Sequence, residues 1–390
     1  MGNKFEQQTP EQKYKNSRNK NNTMRSIKVS HRKLLNHHLS ILKSLEYPSG
    51  LFAASRKNVG TGYDKSWLRD NFYECIGLEI TGDWDSVLKT YKAILNIFLK
   101  HEEKIDYAIE KKPQHKHEYI HARYNPETFD EFWEDWGNKQ NDAVGAILFK
   151  IGELEQHGYK LLKNEDYRRI TQKLIYYLQS LEYWIDEDSG MWEEDEEIHA
   201  SSVGACVAGL QMIKRHTNLK VPAEAITRGK LTLKAMLPRE SKHKFVDLAL
   251  LSLIYPYNIV TKKQQDEILK NIEYHLVKNR GVIRYKNDYY YNKNMDGHSE
   301  EAEWCFGYSW LSIIYSQRND KKKAEYYFNK ATQTITKKGK IPELYFSNTE
   351  VPNQNTPLGW AESLFIVSLA KLHDKHKKTK QKTQPKHIKK

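Results

Sequence analysis

The chain has 390 residues, 12% of them aromatic with nine Trp and 25 Tyr, and a formal net charge of +13. That length allows one large core or two domains, and the aromatic count permits sugar-stacking faces as readily as ordinary core. The charge is terminal: residues 1–33 contribute +7 and residues 371–390 contribute +8, leaving 34–370 at −2. The body therefore lacks the basic excess that nucleic-acid binding demands.

The segments 1–30 and 374–390 read as disordered, solvated Lys-rich tails, available at most to anionic partners. Cys75, Cys206 and Cys305 form no CxxC pair and leave an odd count, which suits buried thiols in a reducing compartment. The N-terminus has no apolar signal-peptide core, and Glu6 stands where myristoylation would need Ser or Thr. No uncharged run reaches the 18 or so residues of a membrane span. The expectation is a soluble, cytoplasmic protein with no membrane partner.

Apolar residues recur at helical spacing almost throughout, and strand alternation is nearly absent. A first helix is expected near 31–46, with Leu34, Leu35, Leu39, Leu42 and Leu45 on one stripe. The next two are expected near 67–80 and 84–110, the latter carrying Val87, Leu88, Tyr91, Ile94, Leu95 and Phe98. Further helices are expected near 139–156, 164–185, 200–216, 221–236, 243–254, 262–277, 301–317, 320–336 and 357–373. The connections are uneven. Gly82-Asp83 is tight, whereas 47–66, 111–138, 186–199, 278–300 and 337–356 are long and rich in Trp, carboxylates, Gly and Pro. Long ordered loops of that kind usually carry function. About twelve helices with elaborate loops at one end describe an all-α toroid of helical hairpins. A superhelical array would need a fixed 30–45-residue period, which the sequence lacks.

Four clusters in those loops have chemical content. Ser66-Trp67-Leu68-Arg69-Asp70-Asn71 sets a guanidinium and a carboxylate beside an indole, a set that suits adjacent hydroxyls and an apolar sugar face. Asp70 is equally compatible with a helix N-terminus and Arg69 with a surface ion pair. Trp136-Gly137-Asn138-Lys139-Gln140-Asn141-Asp142 offers a stacking face and a donor–acceptor set, with Asp142 alternatively an N-cap. Met191-Trp192-Glu193-Glu194-Asp195-Glu196-Glu197 crowds five carboxylates next to an indole. Repulsion and an apolar neighbour both disfavour ionisation, as a general acid requires; a solvated acidic loop is the plain alternative. Pro342-Glu343-Leu344-Tyr345, followed by Pro357-Leu358-Gly359-Trp360, places one carboxylate among basic residues as a candidate general base or an ordinary loop Glu. Arg284-Tyr285 and Glu303-Trp304 read as core more readily than as sugar subsites.

Taken in order, WLRDN, HARYN with WGNKQND, GMWEE with HASSVG, AMLPRES, and PELY with PLGWAESL resemble glycoside hydrolase family 15, the glucoamylase-like family. The likeness spans about residues 48–370. It is greatest to the branch containing the glucoamylase-like domain of phosphorylase kinase α and β subunits. It implies an (α/α)6 barrel, here expected over 31–373. It implies Glu193 as general acid, Glu343 as general base and Glu194 at an adjacent sugar subsite. Arg69 and Asp70 match residues that hold the non-reducing terminal sugar. Trp67, Trp136, Gln140, Asp142, Trp192 and Trp360 match subsite positions, and Arg284 matches more loosely. Microbial glucoamylases follow the acid with a basic residue and His-Phe-Thr, where this chain has an acidic run and His-Ala-Ser-Ser.

The expected activity is inverting, exo-acting hydrolysis of an α-linked oligo- or polysaccharide, releasing glucose from non-reducing ends with no metal or organic cofactor. The alternative is a non-catalytic glycan-sensing or regulatory scaffold like the kinase subunits. The presence of both carboxylates favours the enzyme.

Overall fold

The computed structural model describes residues 31–134, 136–292 and 300–381, with side chains through 372. Its described residues form twelve α-helices. These are α1 (31–44), α2 (Leu68–Thr81), α3 (Trp84–Lys100), α4 (Glu102–Lys111), α5 (Asn141–Gln156) and α6 (Glu165–Leu181), then α7 (Ala200–His216), α8 (Ala223–Met236), α9 (Lys262–His275), α10 (Phe306–Gln317), α11 (Lys321–Gln333) and α12 (Gly359–Gln381).

Six elements close an inner ring: α2 packs on α5, α5 on α7, and α7 on the 3-10 helix Leu248–Leu253. That short helix packs on α10, α10 on α12, and α12 on α2. The others lie outside, with α3 and α4 together filling one outer position, so outer and inner layers alternate as six hairpins in an (α/α)6 barrel. The expected toroid is present. Outer α3 has the amphipathic pattern that this requires, burying Val87, Tyr91, Ile94, Leu95 and Phe98. The inner 3-10 helix, Leu-Ala-Leu-Leu-Ser-Leu, is buried at all six positions. Inner α5 and α7 approach closely because Gly145 has no side chain; a Cβ there would lie 2.5 Å from the Cys206 backbone nitrogen.

Every long connection precedes an inner element, and the short turns lie at the other end. Two antiparallel ladders tie the long loops together. β1 (Ser66–Trp67) pairs with β2 (Arg123–Tyr124), and β3 (Glu303–Trp304) pairs with β4 (Leu344–Tyr345). Outer helices α3, α6, α9 and α11 carry side-chain N-caps from Asp83, Asn164, Thr261 and Asp320. Inner helices α2, α5, α7 and α10 have none. First-turn N–H groups of α5 and α7 are instead met by carboxylates from other long loops, Asn141 N donating to Asp188 at 3.0 Å and Ser201 N to Glu240 at 3.1 Å.

Three expectations need correction. The single helix near 84–110 is two, because His101 leaves helical geometry (φ −108, ψ 25) and ends α3. The helix near 243–254 is only the 3-10 turn Leu248–Leu253. Asp247 caps it through Ala249 at 2.7 Å, Pro256 follows, and 237–247 becomes a sixth long connection. The last helix runs past 373 to Gln381, so the expected C-terminal tail is helical over its first part. Residues 1–30 and 382–390 lie outside the described residues. Among those described, no helix is long and apolar enough to cross a membrane, and the three cysteines are buried free thiols.

Candidate active site

A cavity of about 400 Å³ opens at the long-loop mouth. Trp67, Arg69, Asp70, Trp136, Trp192, Glu193, Glu194, Arg284, Glu343 and Trp360 all line it. Gln140 and Asp142 do not. Both are buried behind Arg69, whose Nη1 donates to Gln140 Oε1 at 2.8 Å and to Asp142 Oδ2 at 3.1 Å. Their expected role as subsite residues is corrected to one of holding the guanidinium. Asp142 stands in the first turn of α5, where a carboxylate is favourable, so one residue serves helix and site.

Glu193 sits on a bent loop closed by the Asp188–Glu197 bridge, with φ of +62 at both Gly190 and Glu193. A non-glycine residue in that region is strained, and such strain concentrates at functional sites. Its Oε1 accepts from Arg69 Nη2 at 2.8 Å. Its Oε2 accepts from Trp67 Nε1 at 3.2 Å and Trp136 Nε1 at 2.5 Å. Three donors from α2 and two loops thus fix one carboxyl at the cavity wall.

The crowding argued for the acidic run does not survive folding, because the carboxylates fan out to separate partners. Glu194 meets Lys244 at 2.7 Å, Arg284 at 2.7 Å and the Tyr285 hydroxyl at 2.6 Å. Burial pushes its carboxyl up, but the two cations outweigh this and hold it below the ordinary range. Glu197 behaves likewise: Ser241 and His243 offset its burial. Arg284 is clamped by Asp288 and lies over the rings of Trp192, Tyr290 and Trp304 at 5.0–5.3 Å.

Across the cavity, Glu343 is 1% exposed and accepts from Asn353 Nδ2 at 2.5 Å and Asn355 Nδ2 at 2.8 Å. Burial raises its carboxyl, opposed by those two amides, the Tyr63 hydroxyl and Arg284. Asp70 is pushed up to about 7, chiefly by burial; Arg69 opposes this and the charges of Glu193 and Glu343 add to it. Flat faces complete the enclosure. Trp360 stacks on Tyr73 at 4.1 Å and on Phe306 at 4.6 Å, and Trp192 donates to Asp247 at 2.8 Å.

Several lining residues were not anticipated. Trp304 reaches the cavity although the Glu303-Trp304 pair read as core, and Tyr290 joins it from the long 278–300 loop. Tyr63, from the Gly60-Thr61-Gly62 turn, bonds Tyr290 at 2.9 Å and faces Glu343. The alternation of Asn353 and Asn355 was a readable signal, since residues two apart in extended chain point the same way. Among the described residues, no group of three or more His, Cys, Asp or Glu is arranged to hold a metal ion.

The six-hairpin ring and its carboxylate-lined, aromatic-walled mouth are the glucoamylase-like architecture. Within that class, the chain belongs to glycosyl hydrolases family 15, whose sequence profile matches residues 28–371. A probable phosphorylase b kinase regulatory subunit alpha from Caenorhabditis elegans is 26% identical over 372 residues, covering 77% of this chain and 30% of its own length. A glycosidase solved in complex with glucose superposes with a TM-score of 0.75 at 17% identity, covering 88% of this chain and 96% of that one. A glucoamylase from Saccharomycopsis fibuligera gives 0.63 at 14%, covering 89% and 95%. The chain thus spans under a third of the curated relative's length but nearly the whole of these solved folds.

Proposed function

We propose that the chain hydrolyses α-glucosidic bonds at the non-reducing ends of glucans with inversion. The carrying observation is that Glu193 and Glu343 line one cavity together with Arg69, Asp70 and flat aromatic walls. Glu193 gives its proton to the glycosidic oxygen as the bond to the anomeric carbon breaks. Arg69, Trp67 and Trp136 then receive the carboxylate left behind. Glu343 takes a proton from a water that attacks the opposite face, which requires the two carboxyls to stand roughly 6.5–9.5 Å apart. Its amide partners orient it toward the cavity. Arg69 and Asp70 hold hydroxyls of the terminal sugar, and Trp360, backed by the buried rings of Tyr73 and Phe306, offers that sugar a flat face.

A second reading, a glycan-sensing regulatory module, is favoured by the regulatory-subunit name of the relative. One experiment separates the two. The protein is incubated with maltooligosaccharides, glycogen, dextran and trehalose, glucose release is measured, and maltotriose binding is followed by calorimetry. Release with inverted anomeric configuration supports the enzyme. Binding without release from any substrate overturns it in favour of the sensor.

A further inference from the structure

We infer that Arg123, which does not line the cavity, positions and polarises the two indoles that hold Glu193. This deepens the enzyme reading and rests on it for its kinetic consequence only. Arg123 faces Trp67 across the β1–β2 ladder, so both side chains emerge on one face of that pair. Its guanidinium carbon lies 3.8 Å from the centre of the Trp136 ring and 5.4 Å from that of Trp67. The two rings meet edge-on at 6.2 Å, and both Nε1–H groups converge on Glu193 Oε2. Trp67 and Trp136, with Tyr63, Ala54 and Ala122, form a small apolar cluster separate from the main core.

Arg123 itself is 2% exposed, a costly position for a cation unless it interacts. Among the described residues its carboxylate partner is Glu134, at 2.5 Å, which is 57% exposed and shared with Lys65. Its Nε is buried without a hydrogen-bond partner among the described residues, and the rings of Trp136, Trp67 and Phe132 lie beside the guanidinium. A cation against an indole face draws electron density from the ring and sharpens the N–H as a donor. The two donors reach Glu193 from that ring system. Arg123 thus acts on the carboxyl through Trp67 and Trp136, as a positioning residue.

The test uses Arg123→Met, Arg123→Lys and Glu134→Gln in the full chain. Side-chain N–H signals of Trp67 and Trp136 are followed in ¹⁵N-Trp-labelled protein and assigned with Trp67→Phe and Trp136→Phe. Both signals are expected to move upfield in R123M, to recover in part in R123K, and to stay near wild type in E134Q. With maltotriose as substrate, kcat is expected to fall about tenfold in R123M with KM within threefold, and to recover in part in R123K. Unmoved signals in a folded R123M overturn the inference. So does an E134Q that matches R123M, because Arg123 would then merely anchor the loop. If R123M does not fold, R123K decides, since an ammonium cannot lie flat on both rings and must shift at least one signal. If wild type releases no glucose, the enzyme reading fails, and the indole signals still decide the role of Arg123.

Discussion

Replacing Asp70 by Asn should stabilise the protein while weakening its hold on sugar, and the structure gives the size and pH dependence. Burial raises the carboxyl from 3.8 to about 7, with Glu193 and Glu343 adding and Arg69 opposing. A rise of that size corresponds to about 4 kcal/mol of preference for the protonated form in the folded state. Asp70 is partly exposed to the cavity, so solvent leaves roughly half, about 2 kcal/mol. Losing an anion from the first turn of α2 removes about 0.5 kcal/mol of helix-dipole stabilisation, leaving a net gain of about 1.5 kcal/mol. The sign follows from the raised value. Below pH ~4 both states are protonated and Asp70 costs nothing. As pH climbs from about 4 to about 7 the unfolded chain ionises first, and wild-type stability falls. Above about 7 the cost is constant. Denaturant unfolding of wild type and D70N at pH 4 and pH 8 measures the difference. D70N should match wild type, or fall slightly below it, at pH 4 and exceed it at pH 8, with weaker maltotriose binding at both. A D70N that is no more stable than wild type at pH 8, or that gains equally at pH 4, refutes the argument.

Glu193→Gln and Glu343→Gln should each lower glucose release by about a thousandfold or more while shifting the melting temperature by only a few degrees; normal turnover in either would show that another carboxylate carries the chemistry. Asn355→Ala removes an amide that favours ionised Glu343, so the acid limb of the kcat/KM profile should move to higher pH. Gly190→Ala places a Cβ at positive φ and 2.8 Å from the His199 ring, and should cost about 2–3 kcal/mol in chemical denaturation and slow turnover with it.

The barrel was legible because outer helices must be amphipathic. The stripe on α3 reads directly from Val87 to Phe98, and its start from Asp83. The one inner element given the wrong bounds and type, Leu248–Leu253, is buried on every side, so it has no polar face to set its period. The same error hid the 237–247 connection and with it Lys244, which pairs with Glu194. Acidic crowding was the wrong argument for the Trp192–Glu197 loop, because it treated the carboxylates as neighbours in space as well as in sequence. The fold sends Glu194 to Lys244 and Arg284, and Glu197 to Ser241 and His243, from loops 40 to 90 residues away. Gln140 and Asp142 illustrate the complementary limit. Motif order brought them to the mouth, but order does not separate a residue that meets ligand from one that holds Arg69 in place. That distinction rests on depth beneath a surface, and depth is set by which inner helices meet, a property of the closed ring rather than of any single segment.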